Sequence, residues 1–128
     1  MSTEQNKAIT RRWLEEWNTR SVSRLEALAD ETFTADFIVH DNGQPASTMG
    51  REGVKQFVRE VLKNTPDIHI TVEDIIAEGD RVVYFITISG TNALSGKPER
   101  TLDMQIGRFA NGLLAEAWII DVRVEAQA

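Results

Sequence analysis

Hydrophobic positions along the chain follow two different periods, and the change comes near Pro66. From Glu4 to Asn18 apolar residues recur at Ile9, Trp13, Leu14 and Trp17, the spacing of one helical face, with Thr3 available as N-cap and Glu4 in the first turn. Ser21-Val-Ser breaks that pattern, and Ser21 or Ser23 can cap a short second helix that buries Leu25, Leu28 and Ala29. The β-rich run from Phe33 to His40 predicts a short strand. It ends at Asp41-Asn-Gly-Gln-Pro45, a turn-forming cluster that favours positive φ at Asn42 or Gly43. Gly50-Arg-Glu-Gly53 opens a third helix whose buried face would carry Val54, Phe57, Val58, Val61 and Leu62, stopped by the Asn64-Thr-Pro66-Asp turn.

After Pro66 the period becomes two and β-branched residues dominate, which predicts strands over Ile68 to Ala77, Arg81 to Asn92, Thr101 to Phe109 and Leu113 to Val124. Glu78-Gly-Asp80, Ala93-Leu-Ser-Gly-Lys-Pro98 and Ala110-Asn-Gly112 separate them, and links this short pair consecutive strands antiparallel. Helices first and a meander afterwards is an α+β layout in which the helices cover one face of a curved, mostly antiparallel sheet, the shape of a cone. On the second of these strands Val82, Tyr84, Ile86 and Ile88 form the face expected inside. Val83, Phe85 and Thr87 form the outer face, where such apolar groups suit a homodimer contact.

Composition narrows the function classes. The 128 residues suffice for one domain and a core with a cavity in it, and 41% hydrophobic with 27% charged residues is a globular balance. A formal charge of −6 repels phosphate backbones and anionic lipid heads, so neither nucleic acid nor membrane is the expected partner. No stretch approaches the roughly 18 apolar residues of a spanning helix, and the first residues show no apolar signal core, from which a cytoplasmic protein is expected. The absence of cysteine excludes disulfides and thiolate chemistry. With only His40 and His69 available, no metal site is expected, and no glycine loop of the phosphate-cradling kind implies a nucleotide cofactor.

Several strings, in order, carry a resemblance: Asp36-Phe-Ile-Val-His-Asp41, Gly50-Arg-Glu-Gly-Val-Lys-Gln-Phe57, Pro66-Asp-Ile-His-Ile-Thr-Val-Glu-Asp74, Ala77-Glu-Gly-Asp-Arg-Val82, Ser89-Gly-Thr91, Arg108-Phe-Ala-Asn-Gly112 and Glu116-Ala-Trp-Ile-Ile-Asp121. From about residue 33 to residue 121 the chain resembles the SnoaL-like polyketide cyclases of the nuclear-transport-factor-two-like superfamily. The resemblance implies a single SnoaL-like domain over 1–128, a cystatin-like cone with an apolar pocket inside it, no cofactor, and dimerisation through the outer sheet face. It also implies a reaction class, cofactor-independent aldol cyclisation or isomerisation of an apolar carbonyl compound; the alternative is a non-catalytic small-molecule binding or interaction module on the same fold.

In cyclases of the resembled family the Asp that follows the Trp of the last strand is the acid/base, which Trp118-Ile-Ile-Asp121 matches in spacing. A carboxylate beside apolar groups loses hydration, its pKa rises, and it can take a proton from carbon next to a carbonyl. Asp121 is therefore the expected base, unless it pairs at the rim with Arg123 or Arg108. His40 matches a family His, and Asp41 falls where related ketosteroid isomerases keep their base; turn capping is the bland reading of both. Asn92 and Phe85 stand where family cyclases commonly have His and Arg, and Asn92 could hold an oxyanion without transferring protons. The catalytic candidates are thus Asp121, His40 and Asn92. The expected pocket lining is Trp13, Trp17, Asp41, Tyr84, Asp103, Met104, Gln105, Arg108 and Trp118, with ordinary core packing the alternative for the aromatic residues. Asp103, Arg108 and Asp121 resemble the Asp-Arg-Asp set of limonene epoxide hydrolases, but strand alternation sets Asp103 and Arg108 on opposite faces unless a bulge intervenes.

Overall fold

The computed structural model describes residues 2–124. Helix α1 runs over Thr3–Glu16, a 3₁₀ turn follows at Trp17–Thr19, and α2 spans Val22–Thr32. Strand β1 (Phe33–Asp41), the two-residue β2 (Ser47–Thr48) and helix α3 (Gly50–Asn64) come next, then β3 (His69–Glu78), β4 (Arg81–Thr91), β5 (Pro98–Ala110) and β6 (Leu113–Val124). The six strands form one sheet in the order β2-β1-β6-β5-β4-β3, antiparallel throughout except for the β1–β6 pair, which is parallel. This is the α+β cone expected of helices followed by a meander.

The helix starts show local chemistry overriding pattern. The cap of α1 is Ser2, one residue before the expected Thr3: Gln5 N donates to Ser2 Oγ at 3.1 Å and Ser2 N donates to Gln5 Oε1 at 2.9 Å. This reciprocal capping box satisfies two backbone donors, where Thr3 with Glu4 would satisfy one. At α2 the cap is Ser21, whose Oγ accepts from Arg24 N. The Asn42-Gly43 pair takes positive φ at both residues, turning the chain out of β1. Strand β5 begins three residues before the expected Thr101, because Asn92 Oδ1 accepts from Leu94 N and Ser95 N and tightens the preceding turn enough for Pro98 to pair with Thr91. Strand β2 has no side-chain periodicity to announce it; only backbone pairing with Ile38 and Val39 makes it a strand.

The core lies between the helices and the concave face of the sheet. Leu25, Ala29 and Val58 are fully buried where α2 meets α3, and Lys55–Asp30 and Arg59–Glu26 ion pairs rim that contact. The turn after α1 is tied to edge strand β3: the Asn18 amide exchanges two hydrogen bonds with the Ile70 backbone and Arg20 Nε donates to Ile68 O. Phe57, expected on the buried face of α3, is 48% exposed, because Val54, Val58 and Leu62 already fill the line of closest approach. Among the described residues no helix is long and apolar enough to cross a membrane.

Gly90 marks the tightest passage between β4 and the α3–β3 loop, since a Cβ there would sit 2.2 Å from the Thr65 methyl. Gly90→Ala should therefore cost about 1–3 kcal/mol by overpacking. Thr65→Ser, which removes that methyl, should recover part of the loss in a double variant. Urea unfolding of the four proteins measures the coupling, and independent, additive effects would refute the contact.

Candidate functional site

The helices do not fill the cone. A cavity of about 270 Å³ lies between them and the sheet, walled by Trp13, Leu14 and Trp17 of α1, Val54, Phe57 and Val61 of α3, and inward side chains of five strands. Its aromatic wall is rigid: Trp13 meets Trp17 edge-on at 5.9 Å and Phe33 at 4.9 Å, and Phe33 meets Phe37 at 4.8 Å. Thr10 and Thr32 also face it, but their hydroxyls donate to the carbonyls of Asn6 and Leu28 on their own helices. The polar chemistry available to a ligand therefore comes from Tyr84, Gln105 and three carboxylates, Asp41, Asp103 and Asp121.

Strand alternation brings the carboxylates together. Asp103 of β5 is registered directly opposite Asp121 of β6, and Asp41, at the end of β1, is registered against Ile119, two residues before Asp121 on the same face. Asp41 and Asp121 are exposed at the rim, while Asp103 is only 5% exposed. Asn42 locks the rim pair, its Nδ2 donating at 3.0 Å to Oδ1 of both Asp41 and Asp121 and its Oδ1 accepting from Asp121 N at 2.9 Å. Burial pushes the Asp103 carboxyl up to about 6; the neighbouring Gln105 amide pulls it down, and the charges of Asp121 and Asp41 push it further up. Its Oδ1 has no hydrogen-bond partner. Tyr84, next to Gln105 across β4 and β5, holds its phenol proton firmly, because burial first and the Asp103 charge second both raise its pKa.

The same alternation removes four sequence candidates from the cavity. His40 precedes Asp41 and points to the outer face, where Nε2–H donates to Glu116 Oε2 at 2.6 Å and the ring stacks on Trp118 at 4.8 Å. Trp118 is three residues from Asp121, an odd spacing, so the two cannot share a face; it packs outside under the Arg81 guanidinium at 4.9 Å. Arg108 is outside too, its Nε donating to Glu116 Oε1 at 3.0 Å, so the Asp103, Arg108 and Asp121 set does not assemble. Together His40 and Arg108 hold the Glu116 carboxyl below its ordinary value. Met104 is half-exposed on the outer face. Asn92 also stands apart: its side chain is consumed in the β4–β5 turn and in a 3.2 Å bond to Glu99, away from the cavity. Arg123 pairs with Glu99 and Arg108 with Glu116, so Asp121 meets Asn42 instead of either arginine. The Asn42 clamp and the Tyr84 phenol are the functional features missed as such; the Asp-Asn-Gly string was visible as a turn, but nothing in it announced a bond to a residue 79 positions away.

Asp103 also links pH to stability. Its folded-state pKa, about 6, lies above the ordinary 3.8, so this group's contribution to folding is complete below about pH 4 and lost as pH rises through about 6. Asp103→Asn should remove that loss and gain about 2–3 kcal/mol on the wild type at about pH 8 compared with about pH 4. Urea midpoints for the two proteins across this range test it; parallel pH profiles would refute it.

A family model described as a SnoaL-like domain matches residues 10–117. Among solved structures, a proposed SnoaL-like polyketide cyclase from Jannaschia sp. superposes with a TM-score of 0.82 at 22% identity, covering 93% of this chain and 86% of that one. IdmH of Streptomyces antibioticus, a proposed polyketide cyclase, gives 0.74 at 22% identity over 89% of each chain. A Catenulispora acidiphila protein with a ketosteroid isomerase-like fold, in complex with trimethylamine, gives 0.71 at 18% identity over 88% of this chain and 83% of that one. At these identities the structural likenesses speak for the fold, and the match over most of its length places the chain in the SnoaL-like domain family.

Proposed function

We propose that the chain is a cofactor-independent enzyme that moves a proton on an apolar carbonyl compound held in the cavity, in an aldol cyclisation or an isomerisation. The observation that carries this reading is Asp103: a carboxyl buried at the polar end of an apolar, aromatic cavity, with its pKa raised to about 6. A base poised near neutrality is the one that accepts a proton from carbon most effectively while still ionised. This moves the base from Asp121, the expected residue, to the position opposite it, because Asp121 is exposed and hydrogen-bonded to Asn42.

In the proposed sequence the substrate lies along the Trp13 and Trp17 wall with its carbonyl toward Tyr84. Ionised Asp103 takes the proton from the carbon next to the carbonyl, and the C–H electron pair becomes the enolate. The Tyr84 hydroxyl donates a hydrogen bond to the enolate oxygen and, with its raised pKa, keeps its own proton. Protonated Asp103 then returns the proton, either to a different carbon, which isomerises the substrate, or to the alkoxide formed when the enolate carbon attacks a second carbonyl, which closes a ring. A positioned base is worth about 10²- to 10⁴-fold and an oxyanion donor roughly 10²- to 10³-fold, which suffices for an already acidic carbon.

Exchange of the α-protons of 2-tetralone into D₂O, followed by NMR, tests this without knowledge of the natural substrate. Wild type should accelerate exchange with a rate that rises through about pH 6 as Asp103 ionises. Asp103→Asn should lose about 10²- to 10⁴-fold and Tyr84→Phe roughly 10²- to 10³-fold. Ketone binding without exchange in the wild type would leave the binding-module reading in its place.

We also propose that a second copy of the chain covers the outer sheet face. Ile76, Val83, Ile106 and Trp118 form one row across four strands, Phe85, Met104 and Ile120 the next, and five large apolar side chains there are between 37% and 60% exposed. Arg81, Arg108 and Glu116 flank the patch with both signs of charge, as a self-complementary contact requires. Sedimentation at tens of micromolar, an ordinary working concentration for a micromolar dimer, should give a dimer, and Ile120→Lys a monomer. A monomeric wild type would overturn the proposal.

A further inference from the structure

The polar end of the cavity has a charge imbalance that an apolar carbonyl compound alone leaves unanswered. Three carboxylates line it, from β1, β5 and β6, and no Lys, Arg or His does. Asp103 and Asp121 are direct cross-strand partners, an arrangement in which like charges destabilise a sheet. The cations that could have neutralised them are committed elsewhere, Arg108 to Glu116 and Arg123 to Glu99. Independently of this clustering, Asp103 Oδ1 is buried and has no hydrogen-bond partner, although the residue lies 95% out of solvent contact with only 5% exposed. An acceptor left in that state is destabilising, and a donor on a ligand would recover the loss. Among the described residues no group of three or more His, Asp or Glu side chains is disposed as a metal-ligand set.

We propose that the natural ligand carries a protonated amine at one end of its apolar body, seated against Asp103 and Asp121 while the body lies among the aromatic residues. The inference rests on the cavity being the ligand site, as the proposed function has it, and adds the substrate class. An ammonium group satisfies Asp103 Oδ1 with an N–H donor and offsets the cross-strand repulsion, and the second carboxylate oxygen is left to take the proton from carbon. Trp13, Trp17 and Tyr84 present ring faces and edges to the adjoining carbon atoms. By the same charges the site rejects carboxylates and phosphate esters. Asn42 fixes the rim carboxylates in advance, so little ordering remains on binding.

Three probes of matched shape separate the outcomes: naphthylmethylamine, naphthylmethanol and naphthoate, titrated against tryptophan fluorescence and by calorimetry at about pH 8, where carboxylates are ionised and the amine is protonated. The amine should bind roughly tenfold or more tightly than the alcohol, and naphthoate weakest. Asp103→Asn and Asp121→Asn should each reduce the amine's advantage over the alcohol. Lowering the pH through about 6 should also shrink that advantage, as Asp103, with Asp41 and Asp121 around it and Gln105 and Tyr84 beside it, takes up a proton. Equal binding of alcohol and amine, or an amine preference that survives both substitutions, overturns this inference and leaves the cavity reading standing. Failure of all three probes to bind overturns both.

Discussion

The pleat of three neighbouring strands decides which side chains meet in this molecule. Successive residues of β1, β5 and β6 point alternately into the cone and away from it, and the register between the strands is pinned by an apolar inner face that a one-residue slip would turn to solvent. With the register set, Asp41, Asp103 and Asp121 converge inside, while His40, Arg108, Glu116 and Trp118 converge outside. Both clusters come from the same three strands. The acidic group is free of cations because Arg108 lies on the other face of the sheet and Arg123, on the same face as Asp121, pairs with Glu99.

That separation gives the inner and outer carboxyl groups opposite environments. A carboxylate with an arginine beside it would be held low in pKa and satisfied; Asp103 has burial and two more carboxylates instead, and rises to about 6. The outer cluster does the opposite, with Glu116 accepting from His40 and Arg108 and held low. Two neighbouring strands thus carry one carboxyl raised in pKa and one held low, on opposite faces of the same sheet. The destabilisation this implies for Asp103 at neutral pH is the kind that functional sites retain while the rest of the core compensates. Away from it, the α2–α3 contact at Leu25, Ala29 and Val58 is fully buried, and the Asn18 and Arg20 bonds tie the turn after α1 to the chain at Ile68 and Ile70.

The aromatic wall and the acidic end are distinct parts of the cavity. Trp13, Phe33 and Phe37 interlock edge-on along one wall. The carboxylates are confined to the end where β1, β5 and β6 carry their aspartates. Phe57, half-exposed and 6.2 Å from the Trp17 ring, extends that wall toward solvent.

Much of this architecture was legible without coordinates, because it depends on periods. The helical spacing of Trp13 and Trp17, the inward face of Val82, Tyr84, Ile86 and Ile88, and the Asn-Gly turns are local properties, and the structure keeps each of them. The separation of Asp103 from Arg108 also followed from alternation alone. The same rule, applied to the odd spacing between Trp118 and Asp121, would have removed Trp118 from the cavity. Other features had no local signal. Asp103 is buried while Asp41 and Asp121 are exposed, and the Asn42 clamp joins residues 79 positions apart. Asn92 became a turn residue because its side chain found Leu94 and Ser95 amides within reach. Sequence by itself determined the three helices, the five long strands and the family resemblance; only tertiary structure decided β2, the exposure of Phe57 and the environment of each polar group, because pairing, desolvation and charge proximity are properties of what surrounds a residue in space.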